Sequence, residues 1–103
     1  MKKSFYIKVM VMVFFENNIV SYTDKSNIIN DCDYSFKSSD DFEILDTDMA
    51  DAEDCENEPR MLVEFRIDVK SKVSAEEFIQ EVDYELVGEN IVKTEIRNFE
   101  VLK

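Results

Sequence analysis

Two stretches of the chain alternate in a way that fixes its main strands. From Phe5 to Phe15, one parity carries Ile7, Val9, Val11, Val13 and Phe15, and the other carries Tyr6, Lys8, Met10, Met12 and Phe14. Apolar residues on both faces predict a central strand, or one whose second face meets something else. From Met61 to Val69, the residues Met61, Val63, Phe65, Ile67 and Val69 alternate with Leu62, Glu64, Arg66, Asp68 and Lys70. That is the pattern of a half-buried strand with a charged outer face. Two further strands are expected. Phe42–Met49 would set Phe42 and Ile44 against Leu45 and Met49, although aspartate is a poor strand former. Ile91–Leu102 changes parity between Ile96 and Phe99, which predicts a bulge near Arg97–Asn98.

The period switches to that of a helix in two places. Asp24 can cap a helix running to about Asp33, with Ile28, Ile29 and Cys32 on its buried side. Ser74 with Glu77 forms a capping box. The helix after it would bury Ala75, Phe78, Ile79, Val82 and Leu86. Gly88, the one glycine, suits the turn that follows.

These two segments align with a shift of 50 residues. Asp24 meets Ser74, Ile28 meets Phe78, Ile29 meets Ile79, Cys32 meets Val82, and the dipeptide Asp33–Tyr34 meets Asp83–Tyr84. Each copy lies between strands. The expected fold is therefore α+β and ferredoxin-like, in the order βαββαβ, with two helices on one face of a four-stranded antiparallel sheet. The 103 residues suit a single domain, 1–103, with halves at about 1–49 and 60–103 and a connector at 50–59.

Charge changes the picture most in the middle of the chain. The formal net charge is −12, and residues 21–59 carry 13 acids against two bases. The run from Asp40 to Glu58, DDFEILDTDMADAEDCENE, holds ten carboxylates and no base. Such a charge excludes direct binding to nucleic acid or to an anionic membrane surface, because phosphates would repel it. It favours a basic protein partner. A hydrophobic fraction of 45% separates the chain from disordered acidic tails. The start, MKKSFYIKVMVMVFF, has a basic end and an apolar run. Lys8 interrupts that run, no small-residue cleavage site follows, and it is too short to span a bilayer.

Little in the sequence suggests reaction chemistry. There is no histidine, no Gly-rich phosphate loop and no CxxC, so neither an enzyme nor a cofactor is expected. Cys32 and Cys55 suit reduced thiols in a cytosol. Cys32 is expected in the core and Cys55 in the acidic connector. Three readings of the acidic run compete. It can be a solvated connector, the usual role of charge runs. It can be a divalent-cation site, since Asp46, Asp48 and Asp51 are hard oxygen ligands, although the run fails the EF-hand pattern at its glycine position. Or Asp46, Asp48, Asp51, Glu53, Asp54 and Glu56 can imitate a phosphate row before a partner's arginines. A second candidate surface is apolar. Tyr6, Met10, Met12 and Phe14 would line the face without helices and serve a homodimer or a docked partner.

In size, in the DDFEILDTDMADAEDCENE run, in its Lys/Asn/Ile/Asp-rich usage and in its lack of a catalytic motif, the chain resembles the small acidic proteins that phages and mobile elements encode against host defence, including anti-CRISPR proteins. The resemblance implies an inhibitor in the host cytosol. It would bind a CRISPR effector or other nuclease and block a channel that recognises backbone charge through arginines. The alternative is an accessory binding module that dimerises or docks through its sheet face.

Overall fold

The computed structural model describes residues 2–103. Strand β1 (Lys3–Phe15) leads to helix α1 (Tyr22–Asp31) and strands β2 (Asp33–Phe36), β3 (Phe42–Asp54) and β4 (Arg60–Ser71). Helix α2 (Ala75–Glu81) and strands β5 (Tyr84–Val87) and β6 (Ile91–Val101) follow. The fold is α+β. Four long strands form an antiparallel sheet in the order β3-β4-β1-β6, and β2 pairs with β5 in a separate two-stranded ribbon. The two strands with the clearest alternation, β1 and β4, occupy its centre.

The element order departs from a clean βαββαβ. A four-residue strand follows each helix, DYSF in β2 and YELV in β5. Both start at or next to the repeated Asp–Tyr pair. Too short to extend the main sheet, they pair with each other, Asp33 opposite Val87 and Phe36 opposite Tyr84. The ribbon closes over Phe65, whose ring lies 4.9 Å from Tyr34 and 5.7 Å from Phe36. Leu86 is therefore buried from β5 and not from α2, and Gly88 serves the turn into β6.

Directly opposed residues share a face, and the register of β1 with β4 divides the sheet cleanly. Ile7, Val9, Val11 and Val13 oppose Ile67, Phe65, Val63 and Met61, and all eight are buried. Phe42 packs edge-on against Phe78 of α2 at 4.7 Å, and Ile29 of α1 belongs to the same core. Both helices and the ribbon thus cover one face and leave the other open.

The helix boundaries follow their caps. Ser21, not Asp24, caps α1: its Oγ accepts from the Asp24 amide at 3.2 Å. Ser74 caps α2 as expected, accepting from the Glu77 amide at 3.3 Å. The helices end at equivalent residues, Asp31 and Glu81, with Cys32 and Val82 as C-caps. The repeat is thus in register at the helix ends, and α1 is longer at its start by three residues.

The expected connector 50–59 shortens, because Ala50–Asp54 continues β3. Pairing with β4 outweighs the poor strand propensity of aspartate. The expected bulge in the last strand is present. Met10 opposes Asn98 and Val11 opposes Ile96, which leaves Arg97 as the extra residue.

Candidate acidic interface

β3 is an edge strand, hydrogen-bonded only to β4. It holds six carboxylates and no base. Two register shifts decide where they point. Ile44 opposes Val69 and Asp46 opposes Asp68, so Leu45 is the extra residue; Met49 opposes Phe65 and Asp51 opposes Glu64, so Ala50 is the extra residue. The first shift returns Met49 to the buried face with Phe42 and Ile44, which corrects the alternation read from the sequence. The two together put Asp46, Asp48, Asp51 and Glu53 opposite Asp68, Arg66, Glu64 and Leu62, all on the open face. Without the second bulge Asp51 and Glu53 would turn towards the helices.

Successive partners on β4 lie two residues apart, so the four carboxylates follow one another at about 6.6–6.8 Å along the strand. All four residues are exposed. Among the described residues none of them forms an ion pair. Four bases of the sheet are engaged elsewhere: Lys8 with Glu100 at 2.9 Å, Arg60 with Glu58 at 3.0 Å, Arg66 with Glu64 at 2.8 Å and Arg97 with Glu95 at 3.5 Å. Lys70, opposite Glu43 on the same face and diagonal to Asp46, is exposed and joins none of these pairs. Donating hydrogen bonds to Glu100, Glu58 and Glu64 holds the Lys8, Arg60 and Arg66 cations above their ordinary pKa ranges. Apart from Lys70 at its Asp46 end, the β3 row is left without a counter-charge of its own. At the Ala50 bulge a shallow hollow of about 510 Å³ opens between Asp48, Asp51, Glu64, Arg66 and Tyr6.

The two other acidic candidates lie apart from the row. Glu56 is exposed in the turn between β3 and β4. Asp54 opposes Met61 and faces the helices, where its Oδ1 meets Lys25 Nζ. Lys25 is completely buried. Its ammonium also donates to the carbonyls of Cys55 and Glu58 at 3.0 Å and of Arg60 at 3.4 Å. The sequence reading missed this residue. The signal was present in the repeat, where a shift of 50 sets Lys25 against Ala75, a position expected to be buried.

The apolar candidates Tyr6, Met10, Met12 and Phe14 all project from β1 to the open face. Met12 opposes Leu62 and is already buried, with 9% of its surface exposed. Lys93 sits over the Phe14 ring at 4.7 Å and Arg97 at 6.0 Å. The strip of Met10, Met12 and Leu62 borders the acidic row, and a small hollow brings Met10 and Leu62 beside Asp51 and Glu53.

No group of three or more Asp, Glu, Cys or His side chains that could hold a metal ion occurs among the described residues. No helix among them is long and apolar enough to cross a membrane. Cys32 is buried, and burial together with Asp33 pushes its thiol pKa up. No protein-family model matches the chain, and neither a curated protein nor a solved structure matches it.

Proposed function

We propose that this chain acts by binding and not by catalysis, as an inhibitor that sets the β3 carboxylates into the basic nucleic-acid site of a host defence nuclease, in the manner of anti-CRISPR proteins. The supporting observation is the row Asp46, Asp48, Asp51 and Glu53, held on one face by two bulges, with none of the four in an ion pair and Arg66 opposite Asp48 paired with Glu64 instead. The scaffold is a ferredoxin-like arrangement with a short strand inserted in each half. Its place of action is the host cytosol.

Magnitudes limit how the row can act. Four exposed ion pairs, each worth about 0.2–1 kcal/mol, give at most about 4 kcal/mol, a complex of about millimolar affinity. Tighter binding needs the charges to leave water or apolar surface to be buried with them. The half-buried Met10 and Leu62 beside the row supply such surface, so the two candidate surfaces act as parts of one interface. A partner's arginine fits the hollow at Ala50, where Asp48 and Asp51 offer acceptors for a guanidinium fork.

Duplex DNA carries roughly one charge per 1.7 Å of axis. The row is sparser, and it replaces the phosphates that one line of arginines would bind. A partner captured from a bacterial lysate on immobilised protein should release it to duplex DNA or to guide-bound target. It should also release it as salt rises, since exposed charges are screened over about 8–10 Å near physiological ionic strength. Retention against both would exclude mimicry. Docking through the sheet face alone, including homodimerisation, would then be the better reading.

A further inference from the structure

Among the described residues, Lys25 is the one charged side chain that the fold has removed from water completely. Such a group is costly to bury unless every donor finds an acceptor. Its partners come from a single stretch across the core: the Asp54 carboxylate at the end of β3, the carbonyls of Cys55 and Glu58 in the turn that follows, and the carbonyl of Arg60 at the start of β4. These four oxygens surround the ammonium as they would a cation, and helix α1 supplies that cation. The same turn is otherwise tied by the Phe15 amide, which donates to the Pro59 carbonyl at 2.8 Å, and by the Arg60 amide, which donates to the Glu58 carbonyl at 2.8 Å. Within it the Glu58 amide donates to the Cys55 carbonyl at 3.0 Å, and Asn57 adopts a positive φ of 66°. Carboxylates at Glu53, Asp54, Glu56 and Glu58 crowd the turn and repel one another.

We propose that Lys25 is the positioning residue of the acidic interface. It clasps the turn between β3 and β4 to α1 and holds the end of the carboxylate row in one conformation before a partner arrives. This rests on the row being the binding surface. It goes further in assigning a role to a residue that never meets the partner. Ordering the turn in advance removes an entropic cost from binding.

The sign of one substitution separates positioning from simple charge. Lys25→Met removes a positive charge and takes the net charge from −12 to −13. If charge alone governs binding, a short oligoarginine peptide should bind the variant as tightly as wild type or more tightly. A clasp that orders the turn requires the opposite, a loss of roughly threefold to tenfold, the cost of ordering one or two side chains on binding. Peptide affinity is read by fluorescence anisotropy, and amide hydrogen exchange is followed on the same samples. Exchange at Glu58 and Arg60 should accelerate in the variant, while the β1 and β4 amides around Val9 and Phe65 keep their protection. Lys25→Met with Asp54→Asn leaves no orphan carboxylate and restores −12, so it serves if the single variant folds poorly. In wild type alone, the Glu58 amide should exchange far more slowly than in an open loop. Undiminished peptide affinity in the variants, or loop-like exchange at Glu58 in wild type, overturns the proposal. A wild type that ignores the peptide overturns the proposed function and with it the positioning role, while a protected Glu58 would still support the clasp itself.

Discussion

The two halves of the molecule use the same parts in the same order and differ in what they place at the outer strand. β3 closes the first half and β6 the second, each is an edge of the sheet, and each is shifted in register at two places. Bulges and charges on an edge prevent pairing with other chains. β6 meets that need with Lys93, Glu95, Arg97 and Glu100, two charges of each sign. β3 carries six acids and no base. Edge protection therefore explains charged residues on both strands and does not explain why one strand carries a single sign. The excess on β3 costs stability through self-repulsion, and the proposed binding role would account for it. The helices differ in parallel. Where α2 has Ala75, α1 has Lys25, whose clasp is directed at the acidic strand.

The largest expected effect comes from making the first half resemble the second. Lys25→Ala leaves Asp54 unpaired and three carbonyls without their donor. Breaking a buried pair costs about 3–5 kcal/mol. Asp54 keeps 25% of its side chain exposed, which lowers the expectation to about 2–4 kcal/mol. The corresponding change in the second half, Ala75→Gly, should cost about 1 kcal/mol. Urea unfolding of both variants measures the difference, and equal losses would remove the asymmetry between the helices.

A smaller effect is expected where the second half is tighter. Gly88 stands 50 residues after Ser38. A Cβ at Gly88 would come within 3.0 Å of the Ile91 side chain and 3.1 Å of Cys32 Cβ. Gly88→Ser should therefore cost about 1–2 kcal/mol by overpacking, read as a lower midpoint in urea. An unchanged midpoint would mean that the turn into β6 has room to relax.

The smallest effect is a pH dependence. Burial raises the Cys32 pKa above its ordinary value of 9.0. The folded state then holds the thiol proton more tightly than the unfolded state. Its contribution is complete below the unfolded pKa and declines as pH rises from there through the folded pKa. Stability should fall slightly above about pH 9, and Cys32→Ala should flatten that decline. At neutral pH, Cys55 should react with a thiol reagent well before Cys32 does.

How far the sequence disclosed this arrangement depended on whether a residue's local pattern agreed with its tertiary setting. The alternation in β1 and β4 was plain because both strands lie in the centre of one buried face. The Arg97 bulge was legible from the parity change between Ile96 and Phe99. The bulges at Leu45 and Ala50 were not, because no glycine marks them and the acidic residues around them obscure the alternation. The strand at Ala50–Asp54 was read as connector for the same reason: pairing with Met61–Glu64 overrode local preference. The short strands β2 and β5 make sense only as partners of each other, so neither signals itself alone. Of the six acidic candidates, four fall into one row. Asp54 is turned to Lys25, a contact that spans 29 positions in sequence.

The central claim is that the place of the carboxylates matters, beyond their number. Two variants of equal charge test it. One neutralises the row, with Asp46→Asn, Asp48→Asn, Asp51→Asn and Glu53→Gln. The other neutralises four exposed acids of the second half, with Glu76→Gln, Glu81→Gln, Glu85→Gln and Glu89→Gln. Each moves the net charge from −12 to −8. Displacement of DNA from the captured partner by wild type and both variants, over a range of salt, is the decisive measurement. The row variant should lose displacement and most of its salt dependence, and the second variant should retain both. Equal performance by the two variants, whether both retained or both lost, would contradict the account.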